Sequence, residues 1–402
     1  MQSDKLPEGS VTLTASPFTV DLLQQLEAAE GRELLQHVAE MFQTLETWQV
    51  LERLRREAPA ELCRAAVSLH ESRQAARGKF GEQAANMFFD SDALQMASAS
   101  EVASHRAQRL EVGEPVADVA CGIGGDCLAL ARRGPVVASD LDPARVWMTR
   151  RNAEVAGVDG KLLVARADAV APPIRCRTLF ADPARRSEAG RRVRRGSDYA
   201  PTLDQIMALR PGLTSLAIKV SPALDEAQMP STVDEVEYVS WQGQCREAVL
   251  WFGPVASARR RATVIGGDSL LWDEPSPPVV EVGPPAAFIY DPDPAVVRSH
   301  LVGLLAKQLE ATLLCEQVAY LTSATEIATS LARCFHVLAE VPFGVRRLRQ
   351  RLDAEGWKPR EILRRRFPLE PAVLARELRG VGKDNPHPVS LVCTRVAERP
   401  MV

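Results

Sequence analysis

Asp118-Val119-Ala120-Cys121-Gly122-Ile123-Gly124-Gly125-Asp126 is the stretch that decides the fold of this chain. Apolar residues 115–117 precede it and an apolar-periodic run follows at 127–131, which predicts a strand, a glycine turn and a helix. Glycine suits such a turn because it has no Cβ, so the backbone can bend sharply and approach a ligand closely. The helix that opens after the turn offers unpaired N–H groups to polar ligand atoms.

A second strand with an acidic end follows the turn. Residues 135–140 have the sequence Pro-Val-Val-Ala-Ser-Asp, and Asp140 falls 22 positions after Asp118. That spacing is expected of a carboxylate at the end of the second strand that binds ribose hydroxyls. A dinucleotide site would carry a third glycine at position 127, where this chain has Cys127. A doubly wound domain with no ligand at the turn stays an alternative at this point.

Further strands of a doubly wound sheet are predicted up to residue 265. Pro143 opens a helix, and strands are expected at 161–166, 177–181, 213–220, 235–241 and 247–252, with a further edge at 261–265. Asp168 lies just past the third strand, and Asp182-Pro183-Ala184-Arg185-Arg186 follows the fourth. Ligands of open α/β sheets bind beyond the carboxyl ends of the strands, so this is where we expect the chemistry.

The predicted fold class is α/β, with a helical region before the sheet and a small α+β module after it. Helical spacing covers residues 17 to about 110, where Ser98 and Glu101 form a capping-box pattern ahead of a helix over 102–110. Proline-rich segments at 273–278 and 283–285 indicate a linker, followed by a helix over 295–313 and a short strand at 317–321. The module is expected to run strand 334–341, helix 345–354, strand 359–364, helix 371–379 and strand 389–394. The predicted domains are therefore 1–110, 111–272, 273–332 and 333–402.

Composition and cysteine usage indicate a protein of the cytoplasm. The chain has 402 residues, 46% hydrophobic and 25% charged, which is ordinary for a soluble protein of two or three domains. The first nine residues lack the apolar core of a signal peptide, and no apolar run approaches the roughly 20 residues that span a bilayer. The eight cysteines and six histidines are scattered without metal-ligand spacing. We therefore expect no membrane segment, no metal and reduced, buried cysteines.

A net charge of −3 hides two basic regions. Residues 333–402 contain 15 Lys or Arg against 8 Asp or Glu. A second cluster lies beside the fourth strand and comprises Arg185, Arg186, Arg191, Arg192, Arg194 and Arg195. Basic patches on a near-neutral protein suggest a polyanionic partner, although codon bias or an exposed helix face explains the C-terminal excess equally well.

The chain resembles a known family, the class I S-adenosylmethionine-dependent methyltransferases that carry a C-terminal THUMP-like domain. These are related to the RNA cap guanine-N2 (trimethylguanosine synthase) methyltransferases. The resemblance covers most of the chain from about residue 79. The motifs that carry it are the stretch 118–126, Asp140-Leu141-Asp142-Pro143, Asn152, Asp182-Pro183-Ala184-Arg185-Arg186, Tyr199-Ala200-Pro201, Lys219-Val220-Ser221-Pro222 and Glu237-Tyr238-Val239-Ser240.

The resemblance implies a Rossmann-like methyltransferase sheet, S-adenosylmethionine as cofactor, and a nucleic-acid substrate, with RNA favoured. It implies cofactor contacts from Ser98, Asp118, Ala120, Cys121, Gly122, Gly124, Asp140, Leu141, Asp168 and Ala169. In related amino-methyltransferases an Asp/Asn-Pro-Pro-aromatic motif grips an exocyclic amine, and Asp182 and Pro183 match its first two positions. The implied substrate contacts are Arg185, Arg186, Tyr199 and Lys219, and Tyr199 or Trp241 is expected to supply a stacking surface.

Positions three and four of that motif depart from the family, because they are Ala184 and Arg185. A guanidinium can stack on a base or grip phosphate, but it does not replicate an aromatic clamp. Two alternatives therefore stay open: an RNA-binding protein without catalysis whose methyltransferase fold senses cofactor, and a methyltransferase of protein or small molecules.

Overall fold

The computed structural model of the protein describes residues 16–111, 113–185, 195–276, 278–382 and 387–402. Contacts within the chain separate two units. The first comprises Met1–Val236 and Glu247–Ser257, and the second comprises Glu237–Arg246 and Ala258–Val402.

Amphipathic helices occupy the region before residue 110, as their spacing predicted. Thr19 begins the first of them, where its side-chain oxygen accepts a hydrogen bond from the Leu22 N–H (3.2 Å). The apolar stripes are buried, with Leu23, Leu26 and Leu69 at 0% exposure, and they share one hydrophobic core with the sheet that follows. The helices are α1 (Val20–Glu27), α2 (Ala29–Met41), α3 (Thr47–Leu54), α4 (Ala60–Phe80), α5 (Ser91–Met96) and α6 (Ser100–Arg109), with a 3-10 turn at Gly81–Asn86.

The first unit contains the predicted parallel sheet. Its strands are β1 (Val116–Val119), β2 (Val136–Asp140), β3 (Leu162–Arg166), β4 (Thr178–Ala181) and β7 (Ser215–Val220), in the spatial order β3-β2-β1-β4-β7. Strand β9 (Gln244–Phe252) runs antiparallel to β7. Every residue of β1, β4 and β7 is buried, which is typical of parallel strands covered on both faces. The strand order reverses between β1 and β4, so the crevice beyond their carboxyl ends is the expected ligand site.

Helices and a short hairpin complete the first unit. Helix α7 (Gly125–Arg133) follows the glycine turn directly, and α8 (Pro143–Val155) begins at Pro143 as predicted. Asp142 caps α8 by accepting hydrogen bonds from the N–H groups of Ala144 and Arg145. Strands β5 (Ala184–Arg185) and β6 (Tyr199–Ala200) form a two-residue antiparallel pair, and α9 (Leu203–Met207) leads towards β7.

The capping box predicted at Ser98 is wrong. Helix α6 begins at Ser100, and its N-cap is Ala99, which makes no side-chain cap. The Ser98 hydroxyl is instead bound by Arg106 and Lys219, because charged donors in a buried position satisfy it in preference to a helix N–H.

The described residues of the second unit form three groups of antiparallel or mixed strands. Strand β8 (Glu235–Trp241) begins in the first unit and ends in the second. Strand β10 (Arg260–Val264) pairs with β11 (Ser269–Trp272). A four-stranded sheet has the order β13-β14-β12-β15, and a three-stranded sheet has the order β16-β17-β18. The bounds are β12 (Phe288–Pro292), β13 (Thr312–Cys315), β14 (Val318–Ser323), β15 (Ala332–His336), β16 (Trp357–Arg364), β17 (His387–Val396) and β18 (Arg399–Met401).

Helices α12 (Val345–Ala354) and α13 (Pro371–Glu377) bury Leu348, Leu352 and Leu374 in a core of their own with the last sheet. The α/β class with a small C-terminal α+β module is therefore confirmed.

The single helix predicted over residues 295–313 is wrong. The segment forms α10 (Pro294–Arg298), α11 (Val302–Gln308) and strand β13. His300 (φ 61°) and Glu310 (φ 49°) adopt the left-handed backbone conformation after each helix, which ends the helical hydrogen-bond ladder despite the apolar periodicity. The strand predicted at 317–321 is present as β14, and β12 and β13 of the same sheet come from residues expected to form a linker and a connecting helix.

Asn152 of α8 fastens the segment before the sheet to the glycine turn. It is fully buried. Its Oδ1 accepts a hydrogen bond from the Phe88 N–H (2.7 Å), and its Nδ2 donates to the carbonyls of Phe88 (2.9 Å) and Ile123 (3.0 Å). Three backbone groups therefore depend on one side chain.

We expect Asn152→Ala to lower the free energy of unfolding by about 2–4 kcal/mol, because it leaves buried backbone groups without partners. Urea unfolding followed by circular dichroism measures this. Gln36→Ala is the matched control, since Gln36 bonds Glu40 on an exposed helix face, and its effect should stay within about 0.5 kcal/mol. Equal effects of the two substitutions would contradict the fastening role.

Candidate active site

The glycine turn after β1 leaves its backbone open to a ligand. Ala120 (φ 62°), Gly122 (φ 58°) and Gly124 (φ 97°) all adopt left-handed conformations. A Cβ placed on Gly122 would meet no atom within 4 Å, so the space beside this backbone is free of protein atoms among the described residues. The Cys121 N–H donates to the Ser139 carbonyl of β2 (3.0 Å), which holds the turn against the neighbouring strand.

Asp140 joins the end of β2 to the same turn. Its Oδ2 accepts a hydrogen bond from the Gly122 N–H (3.0 Å) and its Oδ1 from the Asp142 N–H (2.9 Å). Burial raises the pKa of Asp140, while these two backbone donors oppose that effect. Each oxygen keeps a lone pair that can accept a hydrogen bond from a ligand hydroxyl. Leu141, the next residue, is 48% exposed and offers an apolar surface beside the carboxylate.

Asp118, the first residue of the quoted stretch, is a buried carboxyl without a partner. It is 0% exposed, and neither of its oxygens has a hydrogen bond among the described residues. Burial raises the pKa of Asp118 well above its usual range, and the negative charges of Asp126 and Asp182 act in the same direction. A buried polar group normally finds a partner, so this carboxyl suits a ligand that brings a positive charge or a donor.

Arg106 of α6 forms the centre of a buried ionic cluster with Asp126, Glu247 and Ser98, called here the Arg106 cluster. Its guanidinium contacts Asp126 on α7 and Glu247 on β9, and donates to Ser98 Oγ (2.6 Å). Burial alone would lower the pKa of Arg106, but the two carboxylates outweigh burial and raise the pKa. Burial raises the pKa of Glu247, and the charges of Arg106 and Lys219 oppose it. The cluster ties α6, α7 and β9 together beside the turn.

Asp182 follows β4 and is held by Lys219 of β7. Lys219 Nζ donates to Asp182 Oδ2 at 2.6 Å. The Asp182 side chain is 26% exposed, whereas the Lys219 side chain is 7% exposed. The two residues are neighbours because β4 pairs in parallel with both β1 and β7, with Ala181 opposite Val119 and Ile218. The strand register therefore brings a partly exposed carboxylate to the end of β4, next to the glycine turn.

The remaining predicted residues differ in their surroundings. Asp168 is exposed after β3 and accepts a hydrogen bond from the Val170 N–H (3.1 Å), and Ala169 beside it is 6% exposed. Pro183 is buried. The backbone of Arg185 pairs with Tyr199 in the β5–β6 hairpin. Arg186 and the cluster up to Arg194 lie outside the described residues.

Two aromatic residues predicted to stack on a base have other surroundings in the structure. Tyr199 is 1% exposed, and its hydroxyl accepts a hydrogen bond from the Ser221 N–H (2.7 Å). A ring that is buried on both faces presents no surface to a base, which counts against the predicted stacking. Trp241 lies in the second unit, where the Arg246 guanidinium sits 5.5 Å from its ring centroid.

Sequence reasoning missed Arg106, Asp126 and Glu247. One signal for Glu247 was present: a single acid begins the otherwise apolar run Glu247-Ala248-Val249-Leu250-Trp251-Phe252. A charged residue in an apolar strand is rarely buried without a partner. Nothing local indicated that the partner would be Arg106, which lies 141 positions earlier.

Neither a metal site nor a membrane segment is found in the part of the chain that the structure describes. No group of three or more His, Cys, Asp or Glu side chains there could hold a metal ion. No helix there has both the length and the apolar character needed to cross a bilayer.

Comparison with known proteins connects this geometry to a family. Residues 113–197 match the RNA cap guanine-N2 methyltransferase family, and residues 332–402 match the THUMP domain-like family. An uncharacterized S-adenosylmethionine-dependent methyltransferase of Mycobacterium tuberculosis, in strains CDC 1551 and H37Rv, is 37% identical over 334 residues. The match covers 81% of this chain and 90% of the relative.

The structural comparison agrees in fold. A protein of Porphyromonas gingivalis W83, crystallised as a candidate methyltransferase, superimposes with a TM-score of 0.70 at 19% identity. The superposition covers 92% of this chain and 97% of that protein. Together with the glycine turn and the acidic strand ends, the curated relative shows that this chain belongs to the S-adenosylmethionine-dependent methyltransferases, enzymes whose cofactor is S-adenosylmethionine.

Proposed function

We propose that this enzyme methylates an exocyclic amine of a base in RNA. The observation that carries the proposal is the partly exposed carboxylate of Asp182, held by Lys219 at the end of β4 beside the glycine turn of β1. A carboxylate there can accept a hydrogen bond from an amine that faces the cofactor site. The match to the RNA cap guanine-N2 methyltransferases over residues 113–197 supports an amine as the target.

The cofactor would be held by the residues around the two strand ends. We assign the ribose hydroxyls to Asp140, and the adenine to the apolar surface of Leu141 with Ala169 and Asp168 beyond β3. The backbone of Ala120, Cys121, Gly122 and Gly124 would face the amino-acid portion, and the unpartnered Asp118 would balance its positive charge. Ser98 joins this set only through the Arg106 cluster. When bound, S-adenosylmethionine supplies an activated methyl group on a sulfonium.

The protein's own contribution would be positioning, since orientation supplies much of the barrier reduction in group transfer. Asp182 Oδ1 has no hydrogen bond among the described residues, so it is available to accept one N–H of the target amine. We assign the Pro183 carbonyl as acceptor of the second N–H. Asp182 would thereby aim the amine lone pair at the methyl group and hold the proton that the nitrogen loses.

A groove in the second unit supports a polyanionic substrate. It has a volume of about 470 Å³ and lies between β16 and α13. Its cationic walls are Lys358, Arg360 and Arg379, which have no ion-pair partner among the described residues. Its acid, Glu361, is already bound by Arg333 and by the Ser390 hydroxyl, and the Arg333 contact lowers its pKa. Exposed cations around a groove attract phosphates. Such a substrate fits the predicted location in the cytoplasm.

One feature favours a second candidate, an RNA-binding protein without catalysis that senses the cofactor. Arg185 stands where related enzymes carry an aromatic residue. Tyr199, which pairs with Arg185 across β5 and β6, is buried and so cannot stack on a base in place of that aromatic residue. Both candidates bind S-adenosylmethionine and RNA, and only the first transfers a methyl group. A transfer assay therefore separates them.

We expect Asp118→Asn to weaken S-adenosylmethionine binding about tenfold, measured by calorimetry, because it removes the charge opposite the cation. The same substitution should raise thermal stability, because the buried carboxyl destabilises the folded protein once the pH favours its ionisation. The folded-state pKa of Asp118 is raised above its ordinary 3.8, so its favourable contribution is present at low pH and is lost as pH rises. The melting temperature of the variant relative to the original protein should therefore climb from about pH 4 upward. Asp159→Asn, at an exposed acid, is the control. Unchanged affinity together with a flat pH response would reject this assignment.

We expect Asp182→Ala to retain cofactor binding and to lose methyl transfer by about 100-fold or more, since it removes the group that positions the amine and handles its proton. The measurement uses methyl-labelled S-adenosylmethionine with total RNA, followed by mass spectrometry of the nucleosides. RNA binding without transfer by the unsubstituted enzyme would favour the non-catalytic candidate. Label in added protein or small-molecule fractions, with none in RNA, would overturn the RNA substrate.

We expect the double substitution Arg360→Ala with Arg379→Ala to weaken binding of total RNA and to flatten its salt dependence. Losing two phosphate contacts should make the slope of log affinity against log salt shallower by about 1.5. Fluorescence titration between low and moderate salt measures this slope. Arg132→Ala with Arg133→Ala, at exposed arginines that end α7, is the matched control and should leave the slope unchanged. Identical slopes in all three proteins would remove the groove from the proposed interface.

A further inference from the structure

Lys219 has all of its donors committed inside the protein. Its ammonium group donates to Asp182 Oδ2 (2.6 Å), to Ser98 Oγ (3.0 Å) and to the Met96 carbonyl (3.3 Å). An ammonium has three N–H groups, so none is left over for a substrate phosphate. The substrate contact predicted for Lys219 would require breaking one of these bonds. Its surroundings point to a different role.

We infer that Lys219 is a positioning residue for methyl transfer, which holds the Asp182 carboxylate in one orientation before substrate binds. This inference rests on the proposed role of Asp182. By binding Oδ2, Lys219 leaves Oδ1 as the oxygen without a partner among the described residues. The target amine then meets a single preset acceptor. A free carboxylate would instead have to be ordered during the reaction.

The position of Lys219 in the sheet argues against a purely structural role. It is the charged residue of the strand Ser215–Val220, every residue of which is buried. Burying an ammonium is costly, and a buried ion pair seldom stabilises a fold more than apolar residues of similar size would. Among the described residues the ion-pair partner of Lys219 is Asp182, so the charge at position 219 is best explained by that carboxylate.

Ser98 links this pair to the cofactor side of the site. Its hydroxyl accepts from Lys219 Nζ and from Arg106, and lies 3.4 Å from Asp126 Oδ2, to which it donates. One proton and two lone pairs are thereby all used. Asp126 lies in the first turn of α7, directly after the glycine turn. Lys219 is consequently held from two directions, by its strand and by the segment that contains Met96 and Ser98.

The experiment is a double-mutant cycle with Asp182→Ala, Lys219→Met and the two together, in the whole chain. Initial rates of transfer from labelled S-adenosylmethionine to total RNA are measured at saturating cofactor. We expect Lys219→Met to lower this rate about 10- to 100-fold. The double variant should be no slower than Asp182→Ala alone, because the side chain that Lys219 positions is already lost. Multiplying effects in the double variant would overturn the inference.

Two further variants serve as a control and as a replacement for a variant that does not fold. Lys161→Met, at an exposed lysine before β3, is the matched control and should leave the rate unchanged. If Lys219→Met fails to fold, Ser98→Ala removes one of the acceptors that hold the ammonium, and the same cycle with Asp182→Ala is run on it. Ser98→Ala should then show a smaller loss in the original background and none in the Asp182→Ala background.

A crystal structure of Lys219→Met, or of Ser98→Ala if the first does not fold, reads out the inference without any transfer. We expect the Asp182 side chain to occupy more than one orientation or a shifted one. An unchanged Asp182 side chain would overturn the inference even if the enzyme is active on RNA. If the original protein transfers no methyl group to RNA, the proposed function fails, whereas the orientation of Asp182 still decides the role of Lys219.

Discussion

The contact between the Arg106 guanidinium and two buried carboxylates is the interaction on which the first unit depends. Arg106 belongs to a helix that precedes the sheet, Asp126 to the helix after the glycine turn, and Glu247 to an antiparallel strand. A charged group taken out of water must be paired, and removing one partner leaves the others uncompensated. The cluster therefore holds three segments that are distant in sequence next to one another, and one of them is the helix that follows the glycine turn.

The site retains an excess of negative charge. Asp118, Asp126, Asp182 and Glu247 act electrostatically with Arg106 and Lys219 in one buried region. Asp126, Glu247 and Asp182 are paired with the two cations, while Asp118 has no partner among the described residues. Its raised pKa reflects the cost of adding a further negative charge there. Under the proposed assignment a cationic cofactor would balance this negative charge, which gives a physical reason for an acid at the start of the turn in place of a pyrophosphate-binding pattern.

The second unit uses charge in the opposite way. Its groove between β16 and α13 exposes cations, and helix α12 adds Arg346 and Arg347 on its solvent face. Exposed cations of this kind contribute little to stability and much to the attraction of polyanions. The apolar core under these helices, with Leu348, Leu352 and Leu374, provides the stability independently of the basic surface. The residues that stabilise the fold are therefore distinct from the residues that would bind a substrate on this surface.

The sequence by itself determined the elements whose cause is local. The strand, turn and helix around residues 118–126, the acid 22 positions later and the helix at Pro143 follow from periodicity, backbone freedom and capping, which act over a few residues. The same local reasoning failed where another contact competed. A helix cap was expected at Ser98, whose hydroxyl is bound by Arg106 and Lys219, and a helix over 295–313 is interrupted at His300 and Glu310.

Only the tertiary structure decided the partners of the buried charges. Arg106 and Glu247 are 141 positions apart, Lys219 and Ser98 are 121 apart, and Lys219 and Asp182 are 37 apart. Strand order and register bring these side chains together, and no spacing along the chain encodes which strands become neighbours. The burial of Tyr199 has the same origin, because a ring is exposed or covered according to what packs on it. The sequence identified Asp118, Asp140 and Asp182, and only the fold decided that Asp182 pairs with Lys219 and that Asp118 has no partner among the described residues.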